Sequence, residues 1–178
     1  MVADVFTFLR ILCGLFIIYI GIFNIFNFHL YFYTILLGWT TDMLDGYIAR
    51  LMKKEGKFGK YDFQIDLFFE WSFFFYLFRS NYVNDKIFLI YNVILISLLA
   101  FYNNKTILMT MQAPVTFLPF IIAFLYYYDL RFVMIIWILI NLLLFHKRFL
   151  NVIKEYIEGI PQNETKENKI IYKNKTKK

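Results

Sequence analysis

Six long apolar stretches, separated by short polar breaks, dominate the chain: roughly Val5–Phe28, Leu30–Arg50, Asp62–Phe78, Ile87–Tyr102, Thr106–Tyr128 and Phe132–Phe145. A bilayer core near 30 Å takes about 20 mostly apolar helical residues per crossing. No alternation of period two runs through these stretches, and strands could span only as a closed barrel, so the pattern predicts helices. Short breaks make successive helices antiparallel neighbours. The expected fold is an all-α integral membrane protein with six transmembrane helices. Residues 1–150 form that helical domain. From about Asn151 the chain turns polar, contains Pro161 and ends in the lysine-rich Lys169–Lys178. Residues 151–178 therefore read as a cytoplasmic tail, at least partly disordered.

Composition agrees with this reading. Of 178 residues, 60% are hydrophobic and 22% aromatic, against roughly 45–50% apolar in soluble proteins. The length suits one domain. Cys13 is the single cysteine, which excludes an intrachain disulfide or a cysteine metal cluster. The first apolar stretch is too long for a signal peptide and lacks a basic leader and a small-residue cleavage site, so it is expected to remain as a span. With the N-terminus inside, sixteen of the 19 basic residues fall on the inner side, and only Arg79, Lys86 and Arg131 fall outside. The positive-inside rule then puts both termini in the cytoplasm, beneath the inner or plasma membrane if the source is bacterial. The tripeptides Asn163–Thr165 and Asn174–Thr176 match the glycosylation pattern, but a cytoplasmic tail does not meet that machinery. The tail lysines can either touch anionic headgroups, at about 1 kcal/mol each, or stay solvated. The net charge of +6 implies no nucleic-acid partner, because no stacking or groove-reading module accompanies it.

Charges inside membrane segments are expensive, and here they cluster. Asp42, Asp45, Gly46, Ala49 and Arg50 fall at i, i+3, i+4, i+7 and i+8, which is one helical face. Asp62 and Asp66 share a face of the next helix, across the short connection Leu51–Phe58. Both faces are expected to meet near the inner membrane surface. Four converging carboxylates need compensation, since like charges oppose one another's ionisation. Metal ions provide it. Oxygen-only ligands suit Mg²⁺ or Mn²⁺ better than Zn²⁺, and neither His29 nor His146 lies in this motif. A pair of such ions fits phosphoryl-type chemistry. Gly46 and Ala49 lack bulk, which serves either helix packing or close approach of a ligand; the flanking aspartates and Arg50 favour a ligand. Arg50 itself is either a snorkelling anchor or a diphosphate contact, and its alignment with the carboxylates favours the contact.

Asp42-x2-Asp45-Gly46-x2-Ala49-Arg50-x8-Gly59-x2-Asp62-x3-Asp66 resembles the signature of the CDP-alcohol phosphatidyltransferase family. The resemblance implies displacement of CMP from a CDP-linked lipid donor by a small alcohol or phosphorylated alcohol, assisted by two Mg²⁺ or Mn²⁺ ions at a site facing the cytoplasm. By the same resemblance Asp42, Asp45 and Asp62 are metal ligands. Asp66 serves the second metal and is the general base for the acceptor hydroxyl. Gly46, Ala49 and Gly59 line the cytidine pocket, with Arg50 near the diphosphate. Homodimers held by membrane helices are also implied. One departure stands out: the family places three residues between the second glycine and its aspartate, whereas only two separate Gly59 from Asp62. This shortened form, opening on Trp39-x2-Asp42, resembles that of some bacterial relatives.

Weaker candidates surround the motif. Thr7 and Arg10 resemble the family's Thr-x2-Arg, and Arg10 either holds the nucleotide side of the site or anchors its helix. Glu70 continues the Asp62–Asp66 stripe by one turn, as part of the polar network or as a structural glutamate. Lys105, followed by Thr106, Thr110 and Gln112, is expected to border the acceptor pocket, with Pro114 and Pro119 bending that helix. Two rival functions fit the pattern less well. An intramembrane prenyltransferase also binds lipid diphosphates through aspartates, but it uses two separated aspartate motifs without this Gly/Ala/Arg interleaving. A divalent-cation or proton transporter needs polar groups across the bilayer, and here the acidic groups gather at one surface.

Overall fold

A computed structural model describes residues 2–52, 61–101 and 105–159. The chain forms six helices: α1 (Val2–Ile22), α2 (Phe28–Met52), α3 (Asp62–Arg79), α4 (Asp85–Phe101), α5 (Lys105–Tyr126) and α6 (Tyr128–Gly159). The described residues contain no strand, as the hydrophobic pattern predicts. Three stretches are long and apolar enough to cross a membrane by length and composition: Asp4–Ile22, Ile107–Tyr126 and Tyr128–Phe145. Of the other helices, α2 and α3 carry the site aspartates. α4, with 17 residues, is only about 26 Å long.

Asparagines set four of the helix boundaries. α1 stops at Ile22 instead of running to Phe28, because Asn24 takes a left-handed conformation with φ 55°. The side chain of Asn27 then accepts a hydrogen bond from the Leu30 N–H at 3.1 Å, capping α2. Asn81, at φ 62°, ends α3, and the N–H groups of Tyr82 and Val83 both return to the Leu77 carbonyl. Asn84 caps α4 by accepting the Lys86 N–H at 2.9 Å. Pro114 and Pro119 both lie within α5. α6 starts earlier than the apolar pattern suggests and continues beyond it to Gly159, through a non-helical residue at Phe145 (φ −121°, ψ 20°). The polar segment after Asn151 thus begins as helix, and the lysine-rich end lies outside the described residues.

α1 packs along both α2 and α3. α2 and α3 in turn meet through rings: Tyr31 stacks on Tyr76 at 4.0 Å, and its hydroxyl donates to the Phe73 carbonyl. Two glycines permit this closeness. A Cβ on Gly14 would lie 2.8 Å from the Phe68 ring, and one on Gly38 would lie 2.0 Å from the ring of Phe69. Phe69 is buried and packed edge-on against Phe73, so it has little room to yield. Trp39 stacks on Phe120 at 4.9 Å, joining α2 to α5, and Trp137 of α6 donates to the Thr40 hydroxyl at 3.0 Å. The outer surface is strongly apolar. α4 fully buries only Leu95, while Ile87, Leu89, Ile90, Val93, Ile96 and Leu99 are exposed. So much exposed hydrocarbon suits lipid tails, not water.

Candidate active site

The site lies where the C-terminal half of α2 and the start of α3 flank the first turns of α1. Helical spacing puts Asp42 and Asp45 on one face of α2, and Asp62 and Asp66 on one face of α3. Arg10 of α1 enters between them with its side chain fully buried. One guanidinium nitrogen serves each helix. Nη2 meets Asp42 Oδ1 at 2.7 Å and Asp45 Oδ2 at 2.5 Å, while Nη1 meets Asp62 Oδ1 at 3.1 Å and also bonds Asp66 Oδ1. Thr7, one turn before Arg10, donates its hydroxyl to Asp45 Oδ2 at 3.2 Å.

Oxygens from Asp42, Asp62 and Asp66 all lie within 4.8 Å of one another, close enough to share an ion. Asp45 stands apart from this group, buried against Arg10 and Thr7. Asp62 and Asp66 open outward, with side chains 43% and 39% exposed. The donor set fits the metal expected of it. Hard carboxylate oxygens suit Mg²⁺ or Mn²⁺, and one guanidinium cannot neutralise four carboxylates. A cavity of about 180 Å³ adjoins the cluster, walled by Arg10, Trp39, Asp42, Met43, Asp66, Phe69 and Glu70. Glu70 hydrogen-bonds Thr116 of α5, which ties that wall to the neighbouring helix.

Residues 1–146 match the family model for CDP-alcohol phosphatidyltransferases. The chain belongs to this family. No curated protein and no solved structure matches it. As a CDP-alcohol phosphatidyltransferase-family member it is a membrane transferase of phosphorus-containing groups in phospholipid synthesis, and the family uses a divalent metal.

The four motif aspartates gather around Arg10, and Asp42, Asp62 and Asp66 form a group that Asp45, expected as a metal ligand, does not join. Other candidates fare differently. Gly46 is half-buried beside Asp45 and is not part of the cavity wall. The side chains of Ala49, Arg50 and Lys105, and all of Gly59, lie outside the described residues. Thr7 and Arg10, expected as substrate contacts, bond to the aspartates themselves. His29 pairs with Asp129 at 2.6 Å, about 20 Å along α2 from Asp42 by helical rise. The motif did not point to Met43, Phe69 or Thr116. A helical stripe would have found two of them: Trp39, Asp42 and Met43 fall at i, i+3 and i+4, and Asp62, Asp66, Phe69 and Glu70 at i, i+4, i+7 and i+8.

Proposed function

We propose that the protein transfers the phosphatidyl group of a CDP-alcohol, such as CDP-diacylglycerol, to an acceptor alcohol and releases CMP. The observation that carries this reading is the convergence of Asp42, Asp62 and Asp66 beside an open cavity. Those three carboxylates, with Asp45 behind them, would hold two Mg²⁺ or Mn²⁺ ions. The chemistry such ions would supply there is stabilisation of negative charge on the diphosphate and on the departing CMP. Asp66 is the general base: it is the motif carboxylate that both borders the cavity and sits deeper on α3. Its carboxylate takes the proton of the acceptor hydroxyl. The acceptor oxygen forms a bond to the phosphorus carrying the lipid, and the bond from that phosphorus to the CMP oxygen breaks, its electron pair leaving with CMP. Gly46, Ala49 and Gly59 border the cytidine and Arg50 faces the diphosphate, in keeping with their places in the family motif.

The proposed topology is six spans with both termini in the cytoplasm, supported by the inner bias of the basic residues. Homodimerisation is part of the reading, and the exposed apolar face of α4 would serve either the partner or lipid. The test is CMP release from CDP-diacylglycerol by the purified protein in detergent with Mg²⁺ or Mn²⁺, across a panel of acceptor alcohols. Asp66→Asn should cut release by about 10²–10⁴-fold. Release that survives this change overturns the base assignment, and ion flux in liposomes without CMP formation favours a transporter.

A further inference from the structure

We infer that Arg10 is a resident counter-cation of the aspartate cluster: a positioning residue that holds α2 and α3 in the metal-ready arrangement before any ion or donor arrives. The inference rests on the metal reading of Asp42, Asp62 and Asp66, and goes beyond it. The geometry divides the guanidinium between two helices, Nη2 to the pair on α2 and Nη1 to the pair on α3. The Nε of Arg10 is buried without a hydrogen-bond partner, so the carboxylates alone hold the group. Thr7 adds its hydroxyl to Asp45, fixing the carboxylate that lies outside the metal triad. Arginine suits this task because its planar fork stays charged and reaches several carboxylates at once, which a lysine ammonium does not.

The consequence is a division of labour. Without metal, Arg10 offsets part of the repulsion among four carboxylates and keeps them together. Metal then meets a formed site instead of assembling one. Without Arg10, the metal must itself hold the two helices, and the fold becomes dependent on it.

The test is thermal unfolding of the full chain in detergent, with Mg²⁺ and with EDTA, for wild type and Arg10→Gln. Wild type should lose only a few degrees on chelation, and Arg10→Gln roughly 10 °C more, with Mg²⁺ restoring most of it. A merely structural contact would lower the melting temperature equally in both conditions. Equal, non-zero losses on chelation therefore overturn the role of Arg10 and leave the metal site standing. If neither protein responds to Mg²⁺, the metal site of the proposed function falls, and the inference with it. Should Arg10→Gln fail to fold even with Mg²⁺, Arg10→Lys takes its place. An intermediate chelation loss then supports the inference, and a loss equal to wild type overturns it.

Discussion

The two ends of α2 handle charge in opposite ways. At its N-terminal end several polar side chains find local partners. His29 pairs with Asp129, and Arg131 donates to the Phe124 carbonyl and lies over its ring. Arg79 donates to Gly21 and Asn24, and the Tyr82 and Tyr127 hydroxyls bond each other at 2.9 Å. At the C-terminal end four carboxylates share one buried arginine. In the first arrangement the contacts are local and scattered, and no like charges converge. The second gathers four like charges in a half-buried place, where added cations would stabilise them further. Polar residues in a membrane helix are thus not informative merely by being there. The convergence of like charges on one point is what separates a site from an anchor.

Substitutions can break that contrast, starting with the strongest effect. Asp66→Asn removes the proposed base, and CMP release should fall by about 10²–10⁴-fold, measured at saturating metal so that weakened binding does not mask the loss. Arg10→Gln strips the buried guanidinium from the cluster. The chelated protein should lose about 3–5 kcal/mol of stability, the cost of leaving buried charges unpaired. Next comes Gly38→Ala, whose new methyl would overlap the Phe69 ring on the cavity wall. Overpacking of this kind costs about 1–3 kcal/mol, and a displaced Phe69 should raise the KM for the donor or acceptor. Thr7→Val deletes one neutral donor to Asp45 and should cost about 1 kcal/mol. At the other end, His29→Gln breaks a solvent-exposed pair and should leave both the melting temperature and CMP release unchanged. A large loss of activity from His29→Gln would erase the distinction between the ends.

Reading the chain in advance succeeded where structure is local. The six apolar stretches became six helices, and the aspartates fell on the faces their spacing requires. The departures are also local in origin. α1 is shorter than its apolar stretch, because the pattern stays apolar through Phe23–Phe28 while Asn24 and Asn27 break the backbone there. α6 is longer than its apolar stretch, because the helix continues into polar sequence. A membrane pattern records where lipid stops, and a helix can continue past that point.

The spacing of Asp42 with Asp45 and of Asp62 with Asp66 was enough to determine two acidic faces, because helical periodicity is a property of neighbouring residues. Which of the four would group as a triad was not contained in that spacing. Nor was the placing of Arg10 among them, or of Phe69 against Gly38. Those outcomes depend on which turn of α1 lies between α2 and α3, and side chains dozens of residues apart settle that only when the helices pack.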